Sequence, residues 1–80
     1  MRLDKYLKVS RIIKRRTLAN EACEQGRVLL NGKVAKPAAD VDVGDVIEVR
    51  LGDSIRQYEV LDISEHALKK DAGNMYRELT

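Results

Sequence analysis

The sequence predicts an α+β fold, with two helices followed by a small antiparallel sheet and a C-terminal helix. Three observations carry that reading. Leu3, Tyr6 and Leu7 recur at helical spacing, Asn31-Gly32 separates two short apolar runs as a hairpin turn does, and Val46-Ile47-Glu48-Val49-Arg50-Leu51 alternates as a half-buried strand does.

The first helix places Leu3, Tyr6 and Leu7 inward and Arg2, Lys5 and Lys8 on the wetter side, and Val9-Ser10 ends it. Thr17 is expected to cap a second helix whose buried stripe is Leu18, Ala19, Ala22 and Cys23. Gly26 suits the left-handed residue that closes a helix. Asn31-Gly32 tolerates the positive φ angles of a type I′ turn between Arg27–Leu30 and Lys33–Ala35. Pro37 opens a looser connection, and Val43-Gly44-Asp45 turns the chain into the alternating strand. Gly52-Asp53 reverses it towards a partner strand around Tyr58, Val60, Leu61 and Ile63. From Ser64 onward, Leu68, Ala72, Met75 and Leu79 follow three- and four-residue spacings, which predicts an amphipathic helix with Gly73 as its weak point. No repeat or low-complexity linker divides the chain, so residues 1–80 are expected to form one domain.

Charge is distributed unevenly. Residues 1–36 hold 10 of the 15 Lys and Arg against 3 acids, about +7, whereas residues 37–80 hold 5 bases against 10 acids, about −5. An overall +2 thus hides a strongly basic half, a pattern that points to a polyanionic partner. The single cysteine, Cys23, excludes an internal disulfide, and a lone histidine, His66, leaves no zinc ligand set. Cys23 reads as a buried helix residue and His66 as a polar surface one; neither metal nor cofactor is expected. Charges interrupt the N-terminal residues and apolar runs stay short, so neither signal peptide nor membrane span is expected, and the location expected is cytoplasmic.

Lys14, Arg15 and Arg16 crowd the start of the second helix, where the helix dipole already presents positive charge. An anion bound there would reverse the sign of that energy, because free N–H groups and guanidinium forks would then converge on one phosphate. Arg2, Lys5, Lys8 and Arg11 extend the same patch. The bland reading is a solvated charge run. With no Phe or Trp and only Tyr6, Tyr58 and Tyr76, the chain offers no stacking platform for single strands, so recognition is expected to run through phosphate, sugar and shape. Tyr6, in register with Leu3 and Leu7, reads as core. Asp4 reads as a helix-stabilising acid or the partner of a nearby Arg rather than an acid-base catalyst.

Arg2-Leu3-Asp4-Lys5-Tyr6-Leu7, Ser10-Arg11, Arg15-Arg16-Thr17, Gly26-Arg27-Val28, Asn31-Gly32-Lys33-Val34, Lys36-Pro37 and Val43-Gly44-Asp45 occur in an order that resembles the S-four RNA-binding domain family over residues 1–50. That resemblance implies two helices and a hairpin forming a surface for structured RNA, with residues 51–80 as a strand and helical extension. Taken whole, including Asn74-Met75-Tyr76, the chain is similar to the RqcP family of free-standing bacterial ribosome factors, relatives of the fifteen-kilodalton heat-shock ribosome-binding protein. The likeness implies binding to large-subunit rRNA and peptidyl-tRNA on obstructed subunits, stabilisation of P-site tRNA, and assistance to an RqcH-type partner that adds alanine tails. It points to Arg2 and Arg16 as leading RNA contacts, Lys5, Arg11 and Arg15 next, and Lys8, Lys14, Arg27 and Lys33 flanking. Asn31 and Gly32 read as turn residues.

The expected protein is therefore a monomeric, non-enzymatic RNA-binding factor. The alternatives are a general large-subunit recycling factor and a helix-turn-helix DNA regulator, the latter disfavoured because the second helix offers Asn20, Glu21, Glu24 and Gln25 to a groove. The thirty or so residues after the motif are too few for the catalytic domains that many members of the S-four family carry. Both Arg2 and Arg16 are expected to lie outside the core of Leu3, Leu7, Leu18 and Ala22, so that truncating either costs little stability.

Overall fold

The computed structural model of the chain describes residues 1–64 and 74–79. Helices α1 (Leu3–Val9) and α2 (Arg16–Glu24) precede strands β1 (Val28–Leu30), β2 (Lys33–Val34), β3 (Val46–Leu51), β4 (Ser54–Val60) and β5 (Tyr76–Glu78). The strands form one antiparallel sheet in the order β2-β1-β3-β4-β5. This is the expected α+β architecture with a larger sheet.

The helices cover one face of that sheet. Leu3, Tyr6 and Leu7 from α1 and Ala19, Ala22 and Cys23 from α2 join Val28, Ile47, Val49, Tyr58 and Val60 in one core. Registers agree with this division: Ile47 pairs with Tyr58 on the covered face, and Glu48 pairs with Gln57 on the other. The period-two alternation of β3 is therefore the imprint of a sheet with one face in water.

Turn chemistry fixes the connections. Asn31 and Gly32 take φ of 51° and 84°, as a type I′ hairpin requires. Asn31 does more than turn: its carbonyl oxygen accepts from the Val46 N–H at 2.9 Å and its amide donates to Asp45 at 3.1 Å, stapling the hairpin to the start of β3. Gly26, at φ 72°, closes α2 as expected.

Three expectations need correction. First, α2 begins at Arg16 with Arg15 in the N-cap position, so Thr17 lies inside the first turn and no side chain caps the helix. Second, Leu18 is 50% exposed, because the buried stripe of α2 is only Ala19, Ala22 and Cys23, and Leu18 projects beside it. Third, Met75 and Leu79 are not helical. Tyr76–Glu78 is β5, paired with β4 through Val60↔Tyr76 and Tyr58↔Glu78. Met75 is buried, and its carbonyl accepts from Tyr6 Oη at 2.7 Å and from the Leu61 N–H at 2.8 Å, tying the C-terminal segment to α1. The remainder of the expected C-terminal helix, with Leu68, Ala72 and Gly73, lies outside the described residues, as does His66.

Candidate nucleic-acid interface

The candidate interface is built around one buried carboxylate. Asp4 stands in the first turn of α1, where a negative charge offsets the helix dipole, and only 3% of its side chain is exposed. It accepts from the Lys5 N–H at 2.8 Å and from Arg2 through Nε at 3.1 Å and Nη2 at 3.3 Å. Arg16, at the start of α2, approaches the same carboxylate with Nε at 3.5 Å. Burial pushes the Asp4 carboxyl up, but the hydrogen bonds from Arg2, Arg16 and the Lys5 N–H outweigh it and hold the group below its ordinary value of 3.8. Asp4 is therefore an anion at neutral pH that fixes two guanidinium groups, each about half exposed (52% and 49%). Each retains N–H edges turned to solvent.

How two residues fourteen positions apart meet follows from the backbone. The Leu3 N–H donates to Ala39 and the Asp4 N–H to Pro37, so the loop after the hairpin satisfies the start of α1. At its other end α1 stops at Ser10, and Arg11 enters the left-handed region at φ 63°. That single residue reverses the chain into the connection leading to α2. A non-glycine residue there costs about 1–2 kcal/mol. Beside Arg16, an open depression of about 360 Å³ is lined by Asp4, Thr17, Asn20 and Glu21. No side chain caps the start of α2, which leaves its first-turn N–H groups without a side-chain acceptor from the N-cap residue.

The other expected RNA contacts fall into place unequally. Lys8, Arg11, Lys14 and Arg15 are exposed on the end of α1 and the connection, contiguous along the chain with the Arg2–Arg16 pair. Lys5 is half-buried. Arg27 is exposed just beyond α2, and Lys33 lies exposed on β2, at one edge of the sheet. Asn20 was not among the expected site residues; its polar side chain one turn after Arg16 was the available signal.

Neither of the reactive-looking groups is poised for catalysis. Cys23 is buried, and burial together with Asp4 and Glu24 pushes its thiol up to about 11, so it stays a neutral core side chain. The Tyr6 hydroxyl is likewise raised, first by burial, and serves as a donor to Met75. Among the described residues, no cluster of His, Cys, Asp or Glu is arranged to hold a metal ion, and no helix is long and apolar enough to cross a membrane.

Two short helices joined by an exposed cationic connection, followed by a hairpin and laid on an antiparallel sheet, define a small α+β module. The chain belongs to the S4 domain family, whose model matches residues 1–47. It is 50% identical over 76 residues to the RQC P-site tRNA stabilizing factor of Streptococcus pneumoniae, covering 95% of this chain and 86% of that protein. The factor of the same name from Bacillus subtilis is also 50% identical, covering 95% of this chain and 88% of that protein. Among solved structures, the trimeric heat shock protein 15 of Vibrio cholerae superposes with a TM-score of 0.88 at 37% identity, covering 98% of this chain and 80% of that one.

Proposed function

We propose that residues 1–80 act as one RNA-binding unit in ribosome-associated quality control, docking on obstructed large subunits through rRNA and peptidyl-tRNA and stabilising the tRNA in the P site. The observation that carries this reading is the Asp4 clamp, which pre-orders Arg2 and Arg16 as two half-exposed guanidiniums beside an uncapped helix start. Pre-ordering lowers the entropy lost when the forks engage phosphates. Lys5, Lys8, Arg11, Lys14 and Arg15 continue the basic face, with Arg27 and Lys33 at its margins. The names carried by relatives that align over nearly the whole chain support P-site tRNA as the anionic partner.

In this account the protein performs no chemistry, acts as a monomer, and assists an RqcH-type tailing partner by holding the tRNA. A helix-turn-helix role is disfavoured because α2 packs Ala19, Ala22 and Cys23 into the core and shows Glu21 and Glu24 to solvent. Specificity for stalled subunits arises from two RNA elements held at fixed geometry, which makes the second contact effectively intramolecular. Co-sedimentation at fixed salt, with matched large subunits that retain or lack peptidyl-tRNA, tests this: tighter binding to the former is expected. Equal binding would leave a general rRNA binder.

A further inference from the structure

The exposed Leu18 does not stand alone. Ile12 from the connection and Leu51 from the end of β3 border two adjoining cavities beside it, one of about 290 Å³ reaching Leu18, Ala22 and Arg27, the other of about 230 Å³ reaching Val49, Arg56 and Tyr58. Ile12 and Leu51 border both cavities, and the one that reaches Leu18 is a slot between α2, the α1–α2 connection and the end of β3. Leu18 and Leu51, at 50% and 51% exposure, are apolar walls left in water.

Exposed aliphatic walls on a small protein mark a binding surface more often than chance exposure does when they are contiguous. Here the rim identifies the occupant. Arg27 lines the slot and Arg56 the adjoining cavity, and Ile12 follows Arg11 and precedes Lys14 in the cationic connection, so cations lie on and beside the slot's lining. Glu21 is the acidic group on its lining, and Gln25 supplies both a donor and an acceptor. An apolar cleft with a polar edge and a cationic rim matches a single unstacked nucleotide: base faces against aliphatic side chains, base edge to an amide, phosphate to Arg.

We propose that the slot between Ile12, Leu18 and Leu51 receives an extruded nucleobase of the bound RNA, its flanking phosphates held by Arg11, Lys14 and Arg27. The inference rests on the RNA-binding reading above and adds to it a base-sized contact distinct from the Asp4 clamp. It gives a chain without Phe or Trp a means to distinguish a distorted helix from a regular one, using aliphatic walls in place of aromatic stacking.

The test compares a fully paired RNA duplex with the same duplex carrying one extruded fluorescent adenine analogue. Wild-type protein is expected to bind the second about tenfold more tightly, the effect of burying one base, and to shield the analogue from a soluble quencher. Leu18→Ser and Leu51→Ser alter half-exposed side chains and are expected to remain folded by thermal melting, keep their affinity for the paired duplex, and lose both the preference and the shielding. Equal wild-type affinity for the two duplexes, or variants that retain the preference, would overturn the slot. Failure of the wild type to bind either duplex would instead strike the RNA-binding reading on which the slot depends.

Discussion

Asp4 and Arg16, twelve residues apart, meet across the α1–α2 connection, with Arg16 Nε 3.5 Å from a carboxylate of which 3% is exposed. Arg2 grips the same group from the other side. The two arginines assigned to RNA are thus also the partners of a buried charge, and their truncation is not free. Arg16→Ala should cost about 1–2 kcal/mol, less than a fully buried pair because Arg16 is half exposed and Arg2 remains in place. Adding Asp4→Asn to Arg16→Ala should recover part of that loss, a coupling that denaturant melts of the double-mutant cycle would measure.

The same carboxylate sets an acid limb. Its folded pKa lies below the ordinary 3.8, so its contribution is complete above the unfolded value and is lost as pH falls through the folded one. Wild-type stability should decline below about pH 4, where Asp4 begins to protonate in the unfolded chain. Asp4→Asn should show a shallower decline over that range, read from denaturation midpoints against pH.

Arg11 at φ 63° occupies a conformation that glycine adopts freely. Arg11→Gly relieves about 1–2 kcal/mol of backbone strain against about 0.5–1 kcal/mol of added unfolded-state freedom. A net stabilisation of up to about 1.5 kcal/mol is expected by thermal melting, together with weaker RNA binding and a salt slope shallower by about one unit if the side chain meets one phosphate. Stabilisation with unchanged binding would remove Arg11 from the interface.

Tyr6 anchors the C-terminal segment through its 2.7 Å hydrogen bond to the Met75 carbonyl. Tyr6→Phe keeps the ring in the core, and the carbonyl keeps its Leu61 and Asp62 donors. The loss should therefore sit near the low end for a buried hydrogen bond, about 0.5–1 kcal/mol. Amide exchange at Tyr76 and Arg77 should rise more than exchange in β1.

What the sequence makes legible here is what local chemistry decides. Asn31-Gly32 dictates its hairpin because few residue pairs tolerate two positive φ angles, and β3 shows its covered face through strict alternation. Met75 and Leu79 follow helical spacing, yet β5 forms because β4 offers an unpaired edge, a partner that periodicity along one segment does not reveal. The apolar stripe of the second helix predicts Leu18 in the core, yet α2 buries only the small residues Ala19, Ala22 and Cys23, and the slot beside them leaves Leu18 in water. The basic half of the chain is legible by counting charges. Of the clamp, Asp4 as the partner of a nearby Arg is legible, whereas the arrival of Arg16 at the same carboxylate is not, because it depends on the path of the connection between α1 and α2.

The most direct test of the clamp as an RNA contact is co-sedimentation with large subunits carrying peptidyl-tRNA of a variant in which Arg2→Gln, Arg16→Gln and Asp4→Asn are combined. Removing both cations together with the buried anion leaves no unpaired charge, so folding is retained while the pre-ordered guanidiniums are gone. The variant should melt cooperatively and be missing from the subunit fraction in which the wild type sediments. A folded variant that sediments as the wild type does would contradict the account.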